Sequence, residues 1–131
     1  MRLLRKSLTT ATATLALLAG GAIAAAPASA AAYNGACGTG YQVVNSLRIP
    51  GNQGTVYLTY NNSNGYNCAV TIPENPGAAA VDVWLNRAGE PTPGLPDPYP
   101  GPVYVDGRGS CLEWGGSVNG RRVDWRDTSC G

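Results

Sequence analysis

Between Thr55 and Ile72 the chain alternates apolar and polar residues with a period of two, breaks into a cluster of turn formers, and alternates again. In "TVYLTY", Val56, Leu58 and Tyr60 share one face while Thr55, Tyr57 and Thr59 share the other, the pattern of a half-buried strand. "NNSNGY" follows, with Asn64-Gly65 suited to positive φ, and "NCAVTI" then sets Cys68, Val70 and Ile72 together with Asn67, Ala69 and Thr71 opposite. A hairpin is the fold unit that such a stretch specifies, because helical spacing would scatter these residues around the axis.

The rest of the chain from Tyr33 onward repeats this grammar. "PVYV" through "DGRG" into "SCLEW", Pro102 to Trp114, reads as a second hairpin. "RRVDWR", Arg121 to Arg126, follows an Asn119-Gly120 turn and reads as a strand with Val123 and Trp125 inward and Arg122, Asp124 and Arg126 outward. "YQVV", Tyr41 to Val44, opens the sheet. The segment 78–88 is ambiguous: Val81, Val83 and Leu85 suit a strand, whereas Val81, Trp84, Leu85 and Ala88 suit one helix face, and β-branching favours the strand. Short strands with frequent turns predict an all-β fold, a small antiparallel sandwich or barrel built from hairpins.

The first thirty residues read as an export address. Arg2, Arg5 and Lys6 precede an apolar run from Leu15 to Ala26, too short to span a bilayer, and Ala28-Ser29-Ala30 fits a signal-peptidase site. Cleavage after Ala30 leaves residues 31–131, one domain by length, with a proline-rich loop at 89–102. The nine basic residues then fall to six arginines against eight carboxylates, a net charge of about −2 that argues against nucleic acid as a partner. No membrane association is expected after cleavage, and the expected state is a monomer.

All four cysteines, Cys37, Cys68, Cys111 and Cys130, lie in that exported part. An even count in a small secreted domain predicts two disulfides, and the lack of histidine and of any Cys-x-x-Cys pair argues against zinc. Three pairings are open; Cys37–Cys68 with Cys111–Cys130 is favoured because each closes a local unit. The loop "DGRGS", Asp106 to Ser110, carries a single carboxylate and does not meet the six or more oxygens of a calcium site. Neither metal nor cofactor is expected.

Composition narrows the chemistry further. Without histidine there is no Ser-His-Asp or Cys-His set, and without lysine after Ala30 there is no Ser-Lys pair. Glycoside hydrolysis needs only two carboxyls, and Glu74, Asp82, Glu90, Asp97, Asp106, Glu113, Asp124 and Asp127 could supply them, though none stands in a diagnostic motif. Glu113, between Leu112 and Trp114, is the first to inspect. The expectation is a protein without catalysis. Tyr57, Tyr66, Tyr99 and Tyr104 fall on outward positions or in turns, and exposed rings beside Asn and Asp suit a carbohydrate- or peptidoglycan-binding surface.

"GTVYLTYNNSNGYNCAVT", "GPVYV", "CLEWGG", the start "AAYNGACGTGY" and the terminal Cys130-Gly131 together resemble the spore-associated protein A family of small secreted actinobacterial proteins. The resemblance implies an exported protein found with spores or aerial growth, placed at the spore or cell envelope surface; the outward tyrosines make wall or spore-surface polysaccharide the expected partner there. It carries over the four cysteines and the hairpin frame, and no catalytic residue. Two departures stand out: Tyr66 occupies a position where the family commonly has lysine, and the stretch before Gly101 is richer in proline. "GSVNGRRVDWRDTSC", Gly116 to Cys130, also looks loosely like the tail of subtilisin inhibitors, which keeps protease inhibition as a minor alternative beside glycoside hydrolysis.

The proline-rich stretch poses its own question. Only the residues from Val103 onward follow it, too few for a confident second domain, so Glu90 to Pro100 is expected to be a stiff polyproline-like crossing into the next strand. Whether Tyr99 faces a ligand from that loop is left for the structure.

Overall fold

The computed structural model describes residues 31–91, 98–128 and 130. The proposed signal segment, the Pro93-x-x-Pro96 part of the proline loop and Asp97 lie outside the described residues. Seven strands run in order: β1 (Tyr41–Ile49), β2 (Gly54–Asn61), β3 (Tyr66–Pro73), β4 (Val81–Arg87), β5 (Val103–Asp106), β6 (Leu112–Val118) and β7 (Arg121–Thr128). They form two antiparallel sheets, β1-β2-β3-β5 and β4-β6-β7, packed as a sandwich, so the all-β expectation holds. The ambiguous segment is the strand β4, whose Val81, Val83 and Leu85 are all buried.

The β2–β3 hairpin forms in the expected register, with Val56 opposite Thr71 and Leu58 opposite Ala69. Its turn differs in detail: Gly65 takes the left-handed conformation (φ 78°), while Asn64 instead uses its side-chain oxygen to accept the Tyr66 amide at 2.9 Å. At the β6–β7 turn both Asn119 (φ 50°) and Gly120 (φ 83°) are left-handed, which matches the twist of a two-residue hairpin.

The hairpin expected from Pro102 to Trp114 does not form. β5 pairs with β3 in one sheet, and β6 lies between β4 and β7 in the other, so "DGRG" is a corner between layers. Turn chemistry reports that the chain changes direction and is silent on which sheet receives it. Here the open edge of β3 takes β5, and the Gly107 amide closes the corner on the Gly65 carbonyl at 3.2 Å.

β1 extends well past Val44, and a bulge explains why its pattern is hard to read. Val43 and Asn45 pair with the adjacent Thr59 and Leu58, leaving Val44 unpaired and 52% exposed. The extra residue switches faces: Tyr41 lies on the outer side, whereas Leu47 and Ile49 turn into the core. Between the layers, Leu58, Leu85, Leu112 and Trp114 are almost fully buried. The sheets approach closely at Gly116, where a Cβ would stand 2.1 Å from Thr71 Oγ1, and that hydroxyl donates to the Asp82 carbonyl at 2.8 Å.

The proline-rich stretch crosses between sheets, from β4 to β5. Its described end works as a seam: the Thr71 amide of β3 donates to the Pro100 carbonyl (3.0 Å) and the Val83 amide of β4 donates to the Tyr99 carbonyl (2.9 Å). The crossing thereby ties β3 of one sheet to β4 of the other.

Candidate functional site

Two surfaces bear on function: the outer face of each sheet. On the four-stranded sheet, β2 and β3 are buried on both sides, because residues 31–40 lie across them. Cys37 joins Cys68 in a disulfide, and Cys111 joins Cys130, the favoured pairing. Around the first bridge a second small core gathers Tyr57 and Val70, with Tyr33, Tyr41 and Ile72 at its margin. Tyrosine hydroxyls pin the segment: Tyr104 donates to the Cys37 carbonyl (2.9 Å), the Tyr33 oxygen accepts the Cys37 amide (3.1 Å), and Tyr57 donates to the Ala31 carbonyl. The rings pack in pairs, Tyr33 on Tyr57 at 5.6 Å and Tyr41 edge-on to Tyr104 at 5.5 Å.

This arrangement revises the tyrosine expectation. Tyr57 faces outward from the sheet but is buried, 9% exposed, under the N-terminal segment. Tyr104 keeps 46% of its surface exposed while its hydroxyl is engaged. Burial and the neighbouring Tyr41, Tyr33 and Tyr99 hydroxyls hold its pKa above the ordinary tyrosine value. Tyr99 packs against the main core, its hydroxyl on the Pro102 carbonyl (3.2 Å) and its amide on Asp82 Oδ1 (2.9 Å). Tyr66, at the start of β3, is 39% exposed. The four do not line one concave surface: Tyr57 and Tyr104 belong to the N-terminal clasp, Tyr99 to the seam, and Tyr66 stands at the sheet's end.

The outer face of β4-β6-β7 carries a groove that the sequence reading missed, of ≈ 300 Å³ and lined by Trp84, Asn86, Glu113, Trp114, Arg122, Asp124, Trp125 and Arg126. Register explains it. Trp84 and Asp124 flank Gly115 in one row, and with no side chain at Gly115 the floor between them is open. In the next row Asn86 lies opposite Glu113, while β7 places two residues, Arg126 and Asp127, against that one position, a bulge. Glu113 thereby accepts from Asn86 Nδ2 (3.2 Å) and pairs with Arg126 Nη1 (3.5 Å). The Arg122 guanidinium stacks over the Trp84 ring at 4.4 Å.

Trp125 lies in the inward row as expected, opposite buried Trp114, but is left largely uncovered. It is 46% exposed because β7 is an edge strand, and its ring leans on buried Trp114 at 6.5 Å between centroids. The signal for this site was present in the outward alternation of β7 and in the glycine pair after Trp114, but it becomes a site only once β4 is placed beside β6.

Three further carboxylates are held in local contacts. Asp82 accepts the Tyr99 amide and faces Ser117 Oγ at 3.5 Å, and Glu90 pairs with Arg87 at 3.0 Å. Asp106 pairs with Arg108 at 2.8 Å, and hydrogen bonds from that side chain and its backbone amide lower the Asp106 pKa to about 2.

No protein-family model matches the chain, and no solved structure matches it. Among curated proteins it is similar to Spore-associated protein A of Streptomyces coelicolor, 46% identical over 118 residues that cover 86% of this chain and 74% of the relative. Identity at that level over most of both chains decides the relationship, and the protein belongs to the spore-associated protein A family.

Proposed function

We propose that the protein is exported, folds in an oxidising compartment, and resides at the spore or cell envelope surface as a non-catalytic component. The observation that carries this reading is the similarity to Spore-associated protein A. The two disulfides support an oxidising destination, since such bridges are rare where thiols are kept reduced. The signal-like first thirty residues support export. A sequence without histidine, and without lysine after Lys6, supports the absence of nucleophilic catalysis. The test is fractionation of a sporulating culture of the producing strain, followed by immunodetection. Recovery with washed spores or walls, with Ala31 as the first residue, is the expected result. Recovery from the free medium alone, or from the cytoplasm, overturns it.

A further inference from the structure

We propose that the outer-face groove of β4-β6-β7 binds one pyranose unit of an uncharged glycan. Three features of the groove point there. The first is aromatic lining: Trp84 projects from the outer face in the same row as Asp124, and Trp125, 46% exposed on the other side of the edge strand β7, borders the groove. Such rings cover the C–H face of a sugar, which is apolar, while leaving its rim of hydroxyls free.

The second is a set of planar polar groups already fixed in place. Glu113 is held from both sides by Asn86 and Arg126, and Arg122 is held on Trp84. Carboxylate and guanidinium groups each present two parallel hydrogen-bonding positions, which match vicinal hydroxyls, and groups already ordered lose little entropy on binding. Asp124, across Gly115 from Trp84, makes no hydrogen bond or ion pair with the described residues and is free to accept from a ligand.

The third is charge and size. Two arginines face two carboxylates in this groove, so no net field favours a phosphate, a sulfate or a polyanionic wall polymer. Its ≈ 300 Å³ is at the small end of ligand pockets, the scale of one sugar unit. Gly115 keeps the floor clear, since a Cβ there would come within 2.3 Å of the Val123 carbonyl. The envelope reading supplies only the source of the glycan; the binding itself rests on the groove.

The experiment uses the oxidised chain from Ala31, titrated with cellohexaose, chitohexaose and, as the charged comparison, oligogalacturonate, and followed by tryptophan fluorescence and calorimetry. At least one neutral hexaose is expected to bind and to shift the fluorescence, with affinity unchanged by added salt. Trp84→Ala is expected to weaken it by about tenfold or more, as loss of a central aromatic contact does, and Glu113→Gln to weaken it too, while Tyr66→Ala leaves it unchanged. Circular dichroism checks that each variant folds. Failure of both neutral hexaoses, equal binding by Trp84→Ala, or preference for oligogalacturonate overturns the proposal. If the hexaoses fail but the protein stays on washed spores, the groove assignment falls and the envelope reading stands; binding by a protein found only in the medium gives the reverse.

Discussion

Tyr104 on β5 donates its hydroxyl to the carbonyl of Cys37, 67 residues earlier, at 2.9 Å. The contact fastens the N-terminal segment to the far edge of the four-stranded sheet, on the opposite side of β3 from Tyr57. Tyr104→Phe keeps the ring and removes the bond, so it is expected to lower stability by about 1 kcal/mol. Tyr57→Ala empties part of the second core and is expected to cost about 3–5 kcal/mol. Urea unfolding of the two variants measures the difference, and equal losses would show that the ring of Tyr57 contributes nothing beyond its hydroxyl.

The two disulfides are expected to differ in weight. Cys37–Cys68 closes a separation of 31 residues and Cys111–Cys130 one of 19, a chain-entropy advantage of about 0.4 kcal/mol for the first. The first bridge is also buried within the outer core, so its removal unfastens residues 31–40 as well. Paired Cys→Ser variants are expected to lose about 2–5 kcal/mol each, with Cys37→Ser/Cys68→Ser the less stable in thermal melts.

Gly116 lies where the two sheets meet, and Gly116→Ala would place a methyl 2.1 Å from Thr71 Oγ1 and 2.7 Å from the Asp82 carbonyl. Overpacking of this kind is expected to cost about 1–3 kcal/mol. Gly77→Ala, whose new Cβ would meet only Asn75 Oδ1 at 3.4 Å, serves as the comparison and is expected to leave the denaturation midpoint near that of the parent.

Thr55 offers the opposite change. Its hydroxyl is buried and finds no hydrogen-bond partner among the described residues. Thr55→Val keeps the shape and removes the unsatisfied group, and is expected to raise stability by about 1 kcal/mol or more, read as a higher melting temperature.

Asp106 sets an acid limit. Its pKa falls from 3.8 unfolded to about 2 folded because Arg108 hydrogen-bonds the ionised form. A depressed carboxylate pKa contributes stability above the unfolded value, and that contribution fades as pH drops from near 3.8 through about 2. Carbon NMR of the side-chain carboxyl is expected to show a midpoint near 2 in the parent and a return toward 3.8 in Arg108→Ala. An unchanged midpoint in the variant would remove Arg108 as the cause.

Period-two alternation and turn chemistry made the β2–β3 hairpin and the Asn119-Gly120 turn readable in the sequence, while the period left Val81–Arg87 open and β-branching favoured the strand that forms. Cysteine count and the closure of local units anticipated the two bridges. These are local properties: which side of a strand a residue occupies follows from backbone geometry alone.

What local pattern cannot carry is the identity of the neighbour. "DGRG" reads the same whether it joins paired strands or turns a corner between sheets, and only the open edge of β3 decides that β5 goes there. Outward tyrosines read as a binding face until residues 31–40, tied down by Cys37, cover Tyr57. The groove at Trp84, Glu113 and Asp124 draws on three strands, with 24 residues between β4 and β6, and it exists because long-range pairing sets their outward rows side by side around Gly115.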